Sequence, residues 1–75
     1  MKAITVTFKG FTSTKPSRYI VRAEGLPAKT YGKFSFTEKE AATDYANQYK
    51  WLDDGSELIE AELPNGDRVF VLHKH

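Results

Sequence analysis

The chain has no cysteine among its 75 residues. A disulfide scaffold and a thiolate zinc site are therefore excluded. Histidine is almost as scarce: His73 and His75 both lie in the last three residues. A base on a mobile terminus serves nucleophilic catalysis poorly. A two-imidazole pair around Lys74 is a weak metal site. No serine sits in a Gly-x-Ser-x-Gly setting, and the five glycines are scattered singly, so no phosphate loop is present. No apolar run approaches the 18 residues of a membrane span, and the first residues form no apolar leader. The carboxylate pairs Asp53–Asp54 and Glu60–Glu62 read as turn chemistry and as a solvated strand face. The expectation is a cytoplasmic, non-enzymatic protein without catalytic residues, metal, cofactor or membrane contact.

What the chain does have is 40% hydrophobic and 13% aromatic residues, enough to fold. Area scaling for this size gives about 4,600 Å² exposed when folded against about 12,300 Å² unfolded. That supports a single small domain over residues 1–75, with one thin core and no deep cavity.

Ile4, Val6 and Phe8 alternate with Thr5, Thr7 and Lys9, which predicts a first strand from Ala3 to Phe8. Residues 10–17 are turn chemistry. A second strand spans Arg18 to Glu24, with Tyr19, Val21 and Ala23 on one face. A third spans Lys29 to Phe36, with Phe34 and Phe36 inward and Gly32 marking a bend. Thr37 and Glu40 have capping-box spacing and start a helix that runs to about Trp51. Ala42, Tyr45, Ala46 and Tyr49 form its apolar stripe.

Asn65-Gly66 signals a two-residue type I′ turn between Glu57–Leu63 and Arg68–His73. Counting from that turn pairs Leu63 with Arg68, Ala61 with Phe70 and Ile59 with Leu72 on the core face. Glu62–Val69, Glu60–Val71 and Leu58–His73 then share the other face. The expected fold is α+β: an antiparallel sheet of about five strands, in the order β-β-β-α-β-β, with one helix packed on one face. The expected core is Ile4, Val6, Phe8, Val21, Ala23, Phe34, Phe36, Tyr45, Ala46, Tyr49, Ile59, Ala61, Phe70 and Leu72, with Trp51 capping one end.

The net charge of +1 hides an asymmetry. Residues 1–33 carry seven cations against Glu24 alone, a net +6; residues 34–75 carry four against nine acids, a net −5. The two halves can neutralise each other in space, or each can meet a charged partner. On the basic side, Lys9, Arg22, Tyr31 and Lys33 fall on the predicted exposed sheet face. The loop from Phe11 adds Lys15 and Arg18 among four hydroxyl residues. Cations with hydroxyl and backbone donors hold phosphates, and Tyr31 and Phe11 are placed to stack on unpaired bases. Lys9, Lys15, Arg18, Arg22, Tyr31 and Lys33 are thus candidate contacts to DNA or RNA.

On the acidic side, Glu57, Glu60 and Glu62 cluster on the hairpin beside a strip of Val69 and Val71. That surface suits docking on a basic site of a host protein, a defence enzyme for instance, as the alternative function. The exposed strand edge is a further docking element, and pairing of an edge into a homodimer stays open.

The string Thr12-Ser13-Thr14-Lys15-Pro16-Ser17-Arg18-Tyr19-Ile20, followed by Ala23-Glu24-Gly25, carries a resemblance. So do the Ala41-Ala42 helix ending at Tyr49-Lys50-Trp51 and the Leu63-Pro64-Asn65-Gly66 hairpin. Together they resemble a group of small uncharacterised proteins encoded by phages, integrative elements and plasmids. Those carry a Thr-x-Thr-Lys-Gly-Ser-Arg-type loop between two early strands. Pro16 replaces the Gly of that pattern, and a Gly-Gly near Glu60-Ala61 is missing. The resemblance implies an intracellular accessory protein of a mobile element and no particular activity.

Overall fold

The computed structural model describes residues 3–64 and 66–74. In its first strand, β1 (Ala3–Lys9), Ile4 and Val6 are buried and the threonines face the other way, as alternation requires. β2 (Arg18–Arg22) buries Tyr19 and Val21 on the same face. β3 (Lys29–Gly32), helix α1 (Glu38–Gln48), β4 (Glu57–Glu62) and β5 (Arg68–His73) complete the expected α+β order. All strand pairings are antiparallel, in the spatial order β3-β2-β1-β5-β4. α1 packs on β1, β2 and β5. No described helix is long and apolar enough to cross a membrane.

The helix starts where the capping box predicts. Thr37 Oγ1 accepts the Glu40 N–H at 3.1 Å, and Glu40 Oε1 accepts the Thr37 N–H at 2.9 Å. It stops at Gln48, short of Trp51. The Lys50 N–H donates to Asn47 O (3.1 Å) and the Trp51 N–H to Ala46 O (3.0 Å), which is the Schellman closure. Lys50 takes the left-handed position of that motif, at φ 58°, where glycine is usual. Ala41, Ala42, Tyr45 and Ala46 are buried against the sheet, and the alanines let the helix lie close.

Three expectations about the core are corrected. β3 ends at Gly32, and the Ser35 and Phe36 N–H groups both turn back to Gly32 O at 3.1 Å. The tight turn reverses the strand's phase: Phe34 is 90% exposed, Phe36 packs inward, and Tyr31 is buried at 3%. Phe8, at the end of β1, is half exposed: its ring centre lies 5.9 Å from that of Tyr19 and 5.1 Å from Lys33 Nζ rather than closing into the core.

The third correction is the hairpin register. Glu62 pairs with Arg68, Glu60 with Phe70 and Leu58 with Leu72. The Leu63 N–H donates to Asp67 O (2.8 Å) and the Gly66 N–H to Leu63 O (3.0 Å), with Gly66 at φ 88°. The ladder therefore closes on Leu63 and Asp67, leaving three residues in the loop instead of two. Pro64, which cannot donate to a ladder, starts that loop. The type I′ assignment itself involves Asn65, outside the described residues. A slip of one residue moves a strand's side chains to opposite faces. Ile59 (46% exposed) and Ala61 accordingly leave the core for the open face, while Leu58 joins the helix side.

Candidate nucleic-acid interface

Because β1 and β3 both run antiparallel to β2, the end of β1, the start of β2 and the end of β3 share one end of the sheet. Lys9 pairs with Arg18, and Arg18 with Gly32. The Lys33 N–H reaches Ser17 O at 3.3 Å. These bonds tie the β1–β2 loop to the turn after β3.

The loop is itself closed. Thr12 donates its N–H to Lys15 O (2.9 Å), and Thr12 Oγ1 accepts the Lys15 N–H (3.0 Å). Arg18 Nη1 donates to Pro16 O at 3.2 Å. The hydroxyl residues thus serve partly as local turn chemistry. Lys33 Nζ lies 5.1 Å from the centre of the Phe8 ring, within cation–π range. Among the described residues, no carboxylate lies within salt-bridge distance of Lys9, Lys15, Arg18 or Lys33. Asp67, which accepts the Thr7 hydroxyl at 3.3 Å, bounds this basic end on the β5 side. Phe11 (79% exposed) and Phe34 project from the two segments that carry these cations.

Two of the six expected contacts fall elsewhere. Arg22 pairs with Thr5 toward the other end of β2, where it lines a groove of about 910 Å³ with Leu26 and Trp51. Tyr31 lies under the helix. Its hydroxyl donates to Asp44 Oδ2 at 2.6 Å and accepts from Gln48 Nε2 at 3.2 Å, and its ring meets Phe36 edge-on. Burial, together with the Asp44 carboxylate, pushes the Tyr31 phenol well above its usual range. The Tyr31 and Gln48 hydrogen bonds, with Lys29 at 3.8 Å, hold the Asp44 carboxyl below the usual carboxylate range. Tyr31 is thus a latch between sheet and helix, unavailable for stacking.

The acidic hairpin is also divided. Glu60 and Glu62 lie on the helix side of β4, where Arg68 gathers them. Its Nη1 pairs with Glu60 and lies 3.9 Å from Glu62, and its Nε lies 3.5 Å from Glu38. Glu57, Val69 and Val71 belong to the opposite face. Val69 and Val71 sit beside Ala61 and Ile59 there, not beside glutamates. Sequence reasoning missed Arg68 as the hub of three carboxylates and Phe34 as a surface ring. The signal for Phe34 was Gly32, which ends the strand where a bend was expected.

No protein-family model matches the chain, and no curated protein or solved structure matches it either.

Proposed function

We propose that the chain is a non-enzymatic binding module that holds nucleic-acid phosphates at the end of the sheet formed by Lys9, Lys15, Arg18 and Lys33. One observation carries this. Four cations share that end without a salt-bridged carboxylate among the described residues; Lys29, Arg68 and Lys74 have carboxylate partners, and Arg22, Lys39 and Lys50, likewise without one, are dispersed elsewhere. Cations left unneutralised on a fixed frame are what phosphate oxygens select. The resemblance to phage and mobile-element proteins supports an accessory role inside a cell.

The test is fluorescence anisotropy with short DNA and RNA at several salt concentrations. Four phosphate contacts give a log–log slope of about 3.6 on duplex DNA or 2.8 on single strands. Replacing Lys15 and Arg18 by Glu should abolish binding. Arg22→Glu, at the other end of β2, should leave the slope in place. Equal effects of both changes would remove this site assignment.

A second reading, with a protein partner, is favoured by one observation. Ile59, Val69 and Val71 form an apolar strip on the sheet face that α1 leaves open, and Ile20 lies on the same face beyond Thr5 and Thr7 of β1. It rests on that face rather than on the acidic hairpin, whose Glu60 and Glu62 are paired with Arg68. Light scattering against concentration tests whether the partner is a second copy, and capture from host lysate tests for another protein. Capture unaffected by Val71→Glu would remove the strip from consideration.

A further inference from the structure

We infer that the basic end takes single-stranded nucleic acid in preference to duplex, with unpaired bases stacked on Phe11 and Phe34. The inference rests on the phosphate-binding reading above and adds the class of strand.

The chain has five phenylalanines. Two, Phe36 and Phe70, pack in or against the core, and the other three, Phe8, Phe11 and Phe34, are exposed at or near the cationic end. A chain this small has little apolar area to spare, so rings left in water there serve something other than the core.

Local structure holds the rings outward. Phe34 sits in the turn whose Ser35 and Phe36 N–H groups bond Gly32 O, and that turn sends Phe36 inward and Phe34 out. Phe11 precedes the Thr12–Lys15 closure, which fixes the loop that carries it. Phe8 already has Lys33 over its ring. Phe11 and Phe34 remain as open platforms, each next to the cations of its own segment: Lys9 and Lys15 around Phe11, Lys33 beside Phe34.

Every unpaired base has a π-face to offer such a ring, and the cations then track the backbone. In a duplex the base faces are stacked on one another, so the rings would meet no partner. Groove entry by the helix is disfavoured by charge. The first turn of α1 carries Glu38 and Glu40, which a polyanion repels. Asp67 bounds the site on the β5 side, so the strand's path lies over β1, β2 and the turn after β3.

The experiment compares anisotropy of labelled oligothymidylate with a duplex of equal length across a salt series. It uses the full chain, Phe11→Ala, Phe34→Ala and the double variant. The single strand should bind at least tenfold tighter. Each Phe→Ala should weaken single-strand binding by about tenfold without changing the salt slope, because no phosphate contact is lost. Phe34→Trp should add quenching on oligothymidylate binding beyond that of the wild type, whose one tryptophan is Trp51. Both rings are largely exposed, so the variants should keep the wild-type circular dichroism. Equal or tighter duplex binding, or Phe variants that bind as the wild type does, would overturn the single-strand inference and leave the phosphate reading standing. Absence of salt-dependent binding to either probe would overturn both.

Discussion

The Tyr31 hydroxyl donates to Asp44 Oδ2 at 2.6 Å, fastening the edge strand β3 to the middle of α1. A charged acceptor makes this a strong bond, partly discounted because Asp44 is half exposed. Tyr31→Phe should cost about 1 kcal/mol in urea unfolding at pH 7. A loss indistinguishable from zero would mean that Gln48 and Lys29 alone hold Asp44.

The same pair sets two pH limits of opposite sign. The Asp44 carboxyl is lowered in the fold, so its contribution is present above the ordinary carboxylate value. It is lost as pH falls below about 4 toward the lowered folded value. The Tyr31 phenol is raised, so its contribution is present below about pH 10 and is lost as pH climbs beyond. Urea midpoints should show a shallower acid limb in Asp44→Asn and a shallower alkaline limb in Tyr31→Phe. Unchanged limbs would detach the pair from pH stability.

Arg68 holds Glu38, Glu60 and Glu62 around one guanidinium. Arg68→Met keeps much of the stem's packing and leaves three carboxylates facing one another. A destabilisation of about 1 kcal/mol at low salt, shrinking as salt is added, is the expected result. A loss that ignores salt would mean that Arg68 acts through packing.

Lys50 sits at φ 58° in the Schellman closure of α1. Glycine adopts that conformation without strain, so Lys50→Gly should stabilise the fold by roughly 0.5–1 kcal/mol. Calorimetry should show a rise in Tm of a few degrees. A fall in Tm would mean that the lysine side chain contributes more than its backbone costs.

Phe70 is fully buried and Phe34 almost fully exposed. Phe70→Ala should cost about 3–5 kcal/mol, which threatens folding altogether, while Phe34→Ala should stay within about 0.5 kcal/mol of wild type. Similar losses at the two positions would contradict the turn that follows Gly32.

The contrast between those two residues shows what was legible in advance. The capping box, the alternation in β1 and the helix stripe each follow from local chemistry, and each is found in place. The hairpin register is different. Val69, Phe70, Val71 and Leu72 form a continuous apolar run, so neither face of β5 is marked by polarity. β4 points the wrong way: Ile59 and Ala61 alternate with Glu60 and Glu62, which marks the apolar pair for the core, yet the glutamates lie on the helix side, where Arg68 gathers them. Only the loop could decide, and Pro64 lengthened it by one residue. Phe34 and Tyr31 exchanged places for a related reason. Alternation was extended through Gly32, where the strand ends and the phase resets. For the site, the Lys15–Arg18 loop was visible because loops display their composition. The company it keeps, Lys33 and Phe34, depends on a turn that only the folded chain reveals.

β1 sits at the centre of the sheet, flanked by its neighbour in sequence and by the last strand of the fold. Ile4 meets Phe70 across a separation of 66 positions. Such pairing carries a high loop-closure entropy and slows folding. During synthesis, β1 can pair with β2 early but keeps its other edge open until β5 leaves the ribosome. Over that interval a nascent chain displays a β-rich edge ready to join another, and Lys9 is the charge at its end that discourages this. A slower arrival of β5 lengthens that interval, whatever the stability of the finished sheet.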